Sequence, residues 1–337
     1  MARSTLLALL RNQDPRAFLQ ISRDWQGLLR LHFLHAAMET GLLQALGRPR
    51  RRGELLEDLQ VARPELLDGL LELGVSLGEL AVKDGWYRTR GTRSRALRKE
   101  RNDALAAMVE ANVTYYSDTY RGFGRRLRGG ELDGGIDAIG PLVARVSKIS
   151  EPYLEHFLQK AVRKKTPLRV LDVGCGSGLH LKTVLDENPE ARGVGLEVDP
   201  KVVLQARENL ERCGVADRLL VVQGDARDLP EEVGGSFDLI LLLSVVYYFE
   251  VHERVSVLSS LRGRMSPGGS LVVVTSCRGP GVDSFSANLN LATSSMEGLA
   301  PLPTPGEMEA QLREAGYESV TRTRLIPRTT YFGFLAS

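Results

Sequence analysis

The chain has 337 residues, 43% of them apolar and 26% charged, with a formal net charge of +2. That length fits about two domains, and the composition is that of an ordinary globular protein rather than a disordered or fibrous one. The near balance of charge gives no general bias towards nucleic acid or membrane, and three cysteines (Cys175, Cys213, Cys277) without C-x-x-C spacing point to a reducing cytoplasm rather than a disulfide framework.

Residues 1–24 read as a helical arm, with Leu6, Leu7, Leu9 and Leu10 on its apolar side. Ser4 to Leu10 is too short for a signal-peptide core, and Arg11 and Asp14 follow at once. A second helix is expected over Trp25 to Leu46, where Leu28, Leu29, Leu31, Phe33, Leu34, Ala37 and Met38 imply burial on more than one side. Glu54 to Gln60 is a short helix. Pro64 suits the first position of a further helix over Glu65 to Leu77. Leu80 to Tyr87 reads as a hairpin, because Asp84-Gly85 between β-formers favours a primed turn. Three helices and a hairpin make a winged-helix arrangement over residues 1–100.

A winged helix can read DNA, and the run Arg48-Pro49-Arg50-Arg51-Arg52 raises that question. The run falls in the expected loop before the helix-turn-helix. The second helix carries or adjoins Glu65, Asp68, Glu72 and Glu79, which repel phosphate. No nucleic-acid partner is expected.

Residues 101–165 form a bridge. Asp103 to Tyr120 reads as one long helix and Ser147 to Arg163 as another. Between them, glycines from Gly122 to Gly140 predict a loose segment suited to a substrate lid. Tyr116 and Tyr120 lie four apart and share a helical face. His32 and His35 also share a face, but no acid or cysteine completes a ligand set, so no metal is expected.

The most informative stretch opens the remaining region, 166–337. Val170-Leu171 leads to Asp172-Val173-Gly174-Cys175-Gly176-Ser177-Gly178, an apolar run that ends in an acid and then alternating glycines. Glycine lets backbone N–H groups approach a ligand closely. The spacing D-x-G-x-G-x-G differs from the dinucleotide pattern G-x-G-x-x-G. A helix over Leu179 to Glu187 follows, then a strand ending at Glu197-Val198-Asp199, 25 residues after Asp172. A helix (Val202 to Cys213), a strand (Leu219 to Gln223) and Gly224-Asp225-Ala226 come next. Further strands are expected at Phe237 to Leu243 and Ser270 to Ser276, with a final pair near Ser319 to Leu325 and Thr330 to Leu335. The longest apolar run, Leu239 to Phe249, is too short to span a bilayer as a helix, so no membrane partner is expected.

These landmarks, in this order, resemble the class I S-adenosylmethionine (SAM) methyltransferases. With the N-terminal pattern, they resemble the small-molecule O-methyltransferases of natural-product type. The resemblance implies an α/β fold: a Rossmann-like, mostly parallel SAM-binding sheet with an N-terminal α-helical winged-helix domain used for homodimerisation. It implies that Asp172, Gly174 and Gly176 bind the methionyl and ribose part, that Glu197, with Val198 beside it, takes the ribose hydroxyls, and that Asp225 and Ala226 frame the adenine. Ser244 would lie near the methyl group, and Tyr153, on the helix entering the domain, would contact the cofactor. Tyr116, Tyr120 and Tyr248 would border a small-molecule methyl acceptor.

One departure stands out. The family's general-base histidine, shortly after the fourth strand, aligns with Tyr247 in Ser244-Val245-Val246-Tyr247-Tyr248-Phe249. A tyrosine with a pKa near ~10 is a poor base at neutral pH. Three readings remain open. The acceptor needs little or no base, as for an amine, a carboxylate, an acidic phenol or enol, or a thioether acid of the kind methylated in dimethylsulfoniopropionate synthesis. His252 acts as a relocated base. Tyr247 orients the acceptor through its hydroxyl. A SAM-binding DNA-binding regulator and a catalytically silent SAM-binding subunit are the alternatives from other classes.

Overall fold

The computed structural model describes residues 14–135, 139–162 and 168–337. The apolar segment Ser4 to Leu10 and the expected helix end at Arg163 lie outside them. The chain divides into two compact units: Met1–Gly122 with Ile139–Ile149, and Phe123–Ala138 with Ser150–Ser337.

Among the described residues of the first unit, Pro15–Glu39 is one helix, where the sequence suggested a break near Trp25. No proline or glycine lies between Gln20 and Trp25 to interrupt the backbone ladder. Asp14 caps it, accepting the N–H groups of Arg16 and Ala17 at 2.9 and 3.3 Å. The helix stops at Thr40 and Gly41, whose φ of 75° L-residues rarely adopt. Helices Arg52–Asp58 and Pro64–Ser76 follow. Phe33, Leu34, Leu43, Leu55, Leu71 and Leu80 form their shared core. Gly74 makes that packing possible, because a Cβ there would sit 2.6 Å from the Phe33 ring.

Strands β2 (Leu80–Lys83) and β3 (Trp86–Thr89) pair antiparallel around Asp84 and Gly85, with φ of 52° and 76°, the primed turn the sequence predicts. The basic run is not a loop. Arg50–Arg51 form β1 on the other edge of β3. Its charges are engaged locally: Arg50 with Glu54 and Asp58 at 3.1 and 3.0 Å, Arg52 with Asp68 at 2.5 Å, and Arg51 over the Trp86 ring at 4.9 Å. The expected long helix from Asp103 is two helices, Asp103–Val113 and Tyr115–Arg126, broken at Thr114. Arg145 on helix Gly140–Ser147 ties back to Asp103 and Glu110 at 2.8 and 2.7 Å.

The second unit is built on a seven-stranded sheet in the order β6-β5-β4-β7-β8-β10-β9. The strands are β4 (Arg169–Val173), β5 (Arg192–Glu197), β6 (Leu219–Gln223), β7 (Phe237–Leu243), β8 (Met265–Ser276), β9 (Val320–Arg324) and β10 (Tyr331–Ala336). β4 to β8 run parallel; β10 is antiparallel to both its neighbours. This is the mostly parallel sheet with an antiparallel edge that the sequence predicts. Helices connect the parallel strands, so β4 and β7 are buried apolar runs rather than alternating ones. From β4 the chain works outward to β6, then returns to β7 on β4's other side. That reversal opens a crevice at the carboxyl ends of β4 and β7, where open α/β sheets bind ligands.

The glycine-rich segment is anchored within this unit. Arg126 pairs with Asp133, and Asp133 bridges Ser295 and Glu297 through backbone bonds of 2.8 and 3.0 Å. Helix Glu151–Val162 buries Leu154, Leu158 and Val162 in the sheet's core. Among the described residues, no helix is long and apolar enough to cross a membrane.

Two glycines on one helix separate packing from propensity. Gly74→Ala is expected to destabilise by about 1–3 kcal/mol through overpacking against Phe33. Gly69→Ala, which has open space around its Cβ position, is expected to be neutral or to stabilise by about 0.5–1 kcal/mol. Urea melts of the two variants beside the parent check both signs.

Candidate active site

The carboxyl end of β4 carries Asp172 and then the glycine loop. Gly174, Gly176 and Gly178 take φ of 70°, 51° and 76°, where a side chain would be strained. A Cβ on Gly174 would meet Val245 at 2.6 Å, so β4's loop abuts the exit of β7. The Cβ position of Gly176 faces open space. The loop folds onto β5: the N–H groups of Gly174 and Cys175 donate to the Leu196 carbonyl at 2.8 and 3.0 Å. Burial pushes the Cys175 thiol well above its ordinary pKa, so it stays a thiol.

Glu197, at the end of β5, is held rigidly. One carboxylate oxygen accepts the Gly176 N–H at 3.0 Å; the other accepts those of Val198 and Asp199 at 2.9 and 3.2 Å. The Val198 side chain is exposed. An oriented carboxylate has lone pairs left for a vicinal diol.

Asp172 is the opposite case. It is 1% exposed, and neither carboxylate oxygen has a hydrogen-bond partner among the described residues. Burial, and then the charge of Glu197, push its pKa up to about 7. Buried acids without donors are rare in native proteins. A cationic or hydroxyl-bearing group would satisfy it.

The third corner lies beyond β6. Gly224 donates to the Glu197 carbonyl at 3.0 Å, which keeps the β6 loop beside β5. Ala226 is buried. Asp225 accepts the Arg227 N–H at 2.8 Å and its guanidinium at 2.9 Å.

Past β7, Ser244 has a φ of 58°, unusual for a residue with a side chain. Its N–H donates to the Val274 carbonyl at 2.7 Å, and the buried Tyr331 hydroxyl hydrogen-bonds Ser244 and Ser150. Tyr247 is buried on the short 3₁₀ turn Val246–Tyr248. Its ring stacks on Tyr248 at 5.2 Å, and its carbonyl accepts the Ala300 N–H at 2.8 Å. Buried Arg254 braces the turn through the carbonyls of Phe249 and Pro301 at 3.2 and 2.6 Å.

The crevice in the second unit thus gathers Asp172, Gly174, Gly176, Glu197, Asp225, Ala226 and Ser244 at adjacent strand ends. His252 is exposed in the turn before helix Arg254–Gly263, with Glu253 as its charged neighbour. Tyr153 is 44% exposed on helix Glu151–Val162. Tyr116 and Tyr120 belong to the first unit; burial pushes Tyr116 up to about 12, whereas Tyr120 is 53% exposed. Sequence reasoning missed Arg227, which reaches Tyr248 and Glu253, and Tyr331, which reaches Ser244 and Ser150, partners remote in the chain. It also passed over His180, two residues beyond Gly178, which desolvation holds below the usual histidine pKa.

Residues 170–269 match a family model described as a methyltransferase domain. The chain is similar to erythromycin 3''-O-methyltransferase of Saccharopolyspora erythraea, at 34% identity over 158 residues, which is 45% of this chain and 51% of that one. It is similar to 27-O-demethylrifamycin SV methyltransferase of Amycolatopsis mediterranei, at 27% identity over 44% of this chain and 54% of that one. The chain spans about half the length of these curated relatives. Among solved structures, mitomycin 7-O-methyltransferase MmcR superimposes with a TM-score of 0.78, at 21% identity, over 95% of this chain and 97% of that one. PigF with SAH gives 0.76 at 19% identity, over 95% and 99%. These likenesses place both units of the chain within one known fold.

Asp172 makes stability pH-dependent in a definite direction. Its folded pKa lies above the unfolded value of about 3.9, so its ionisation penalises the fold increasingly as pH rises towards about 7. Asp172→Asn removes that penalty. In thermal melts without ligand, the stability of the variant relative to the parent is expected to be greatest at pH 8 and to shrink as pH falls to 5.

Proposed function

We propose that the second unit binds S-adenosyl-L-methionine and transfers its methyl group to a small metabolite or natural product. The observation that carries this reading is buried, donorless Asp172 beside oriented Glu197 at the sheet's switch point. The acid suits the cationic amino-acid end of the cofactor, with Gly174 and Gly176 admitting it closely. Glu197 suits the ribose hydroxyls, with Val198 alongside. Asp225 and Ala226 suit the adenine. Tyr153 is assigned to the cofactor's methionyl end. When bound, the cofactor supplies a methyl group already activated on sulfonium sulfur.

The chain's own residues then bind, orient and exclude water. Ser244 takes the wall nearest the methyl group, and the stacked pair Tyr247 and Tyr248 takes the acceptor face. Tyr247 is buried with its ring stacked on Tyr248, and a tyrosine is a poor base at neutral pH. Exposed His252 is poorly suited to act as a base in a closed site. We therefore read the acceptor as one that needs little or no deprotonation: an amine, a carboxylate, an acidic phenol or enol, or a thioether.

We also read residues 1–100 as a winged-helix dimerisation domain. Phe18, Ile21, Trp25 and Leu28 form an exposed apolar stripe on helix Pro15–Glu39 at coiled-coil spacing, and such stripes mark association surfaces. The free state of Cys175, Cys213 and Cys277 suits the cytoplasm.

Release of S-adenosylhomocysteine, followed across phenols, carboxylates, amines and thioether acids, tests the catalytic reading. The base-free classes are expected to turn over. Tyr247→Phe and His252→Ala are expected to keep activity within about tenfold, since loss of a general base costs about 10²–10⁴-fold. Turnover of simple phenols that collapses in His252→Ala would overturn the base-free reading. For the assembly, light scattering is expected to give a dimer for the parent and a monomer for Trp25→Glu.

A further inference from the structure

Arg227 follows the proposed adenine acid by two residues and grips both of its oxygens. The Arg227 N–H donates to Asp225 Oδ1 at 2.8 Å, and Nη1 donates to Oδ2 at 2.9 Å. The plane of the carboxylate is thereby fixed by one residue from two directions. The guanidinium is itself anchored. Nη2 donates to the Tyr248 carbonyl at 2.8 Å, and Nε donates to both oxygens of Glu253 at 3.2 Å each. The guanidinium carbon lies 5.2 Å from the centre of the Phe249 ring. Glu253 is held in turn by the Glu250 N–H at 2.9 Å.

We propose that Arg227 is a positioning residue that sets the purine selectivity of the cofactor site, by holding Asp225 so that it accepts from an exocyclic amino group and rejects a carbonyl at the same place. The inference rests on the cofactor reading above. A carboxylate offers acceptors only, so it pairs with an amino group and faces a carbonyl oxygen unfavourably. That contrast is sharp only while the carboxylate is held in register; a rotating, hydrated one turns away from the wrong base. Asp225 and Arg227 are 39% and 41% exposed. Water therefore screens their Coulomb attraction, and the contribution of Arg227 is orientation rather than raw ion-pair energy. Orientation needs the guanidinium's other contacts, and these all lie on Tyr248, Phe249 and Glu253, just past β7. The adenine corner is thus pinned to the turn that carries Tyr247.

Calorimetric titration with S-adenosylhomocysteine and S-inosylhomocysteine, in which a carbonyl oxygen replaces the amino group, tests this on the full chain. The parent is expected to favour the adenosyl compound by about tenfold or more. Arg227→Met is expected to cut that preference to about threefold or less, and Arg227→Lys to fall between, because an ammonium cannot supply the guanidinium fork. Merely loosening the fold would weaken both ligands alike and leave the ratio unmoved. An Arg227→Met protein that keeps the parent's ratio overturns the inference, while parental binding of S-adenosylhomocysteine leaves the cofactor reading standing. A parent that binds neither compound overturns the cofactor reading, and this inference with it.

Discussion

The second unit is organised around a buried carboxylate with no hydrogen-bond partner among the described residues. Asp172 sits on β4, between β5 and β7, where burial is complete and water cannot compensate its charge. Nothing in folding alone recommends an acid there, and an apolar residue would pack without penalty. The surroundings are arranged to leave it donorless. The loop that follows turns its first two N–H groups towards Leu196 and the third towards Glu197. Backbone donors that could have satisfied Asp172 are spent on its neighbour. One acid is thus oriented and the other left open, and the difference follows from the left-handed conformations at Gly174 and Gly176.

The crevice has two differently built walls. On the β5 and β6 side, carboxylates are aimed by backbone N–H groups and by one arginine, which suits hydroxyl and amino recognition. On the β7, β8 and β10 side, the geometry comes from packing and long-range hydrogen bonds. Arg254 and Ala300 hold the Tyr247 turn, while Tyr331 holds Ser244 in its unusual conformation. Strained residues persist only where their surroundings over-determine them, and Ser244 has support from β8 and from β10. Arg227 joins the walls, because its guanidinium touches Asp225 on one and Tyr248 on the other.

Most of the sheet was legible in the sequence. The expected strands at Leu219 to Gln223 and Phe237 to Leu243 match β6 and β7 residue for residue. Buried parallel strands are continuous apolar runs bounded by turn residues, which is a strong local signal. The glycine loop, Glu197 and Asp225 were legible for the same reason, since each closes a strand. The misread elements depended on remote partners. Arg50–Arg51 became a strand because β3 was there to pair with it, and a run of arginines carries no strand signal of its own. The break at Thr114 has no proline or glycine to announce it. Arg227 is adjacent to a legible motif, but its role depends on Glu253, and a 26-residue separation leaves no periodic trace.

The tyrosine at the expected histidine position bears on how such a fold can work. A general base is worth about 10²–10⁴ in rate, or roughly 3–5 kcal/mol. Holding two reactants in line is worth about 7–11 kcal/mol. On the proposed reading, the larger contribution would come from a loop fixed by backbone bonds, the oriented carboxylate of Glu197, and the braced turn at Ser244 and Tyr247. On the same reading the chain would do without the smaller one, which matters only for acceptors that must lose a proton. Tyr247 is buried and stacked on Tyr248 at the expected histidine position. Within the proposed positioning mechanism, a tyrosine there would give up proton transfer and keep alignment, which would narrow the range of acceptors more than the capacity to transfer a methyl group.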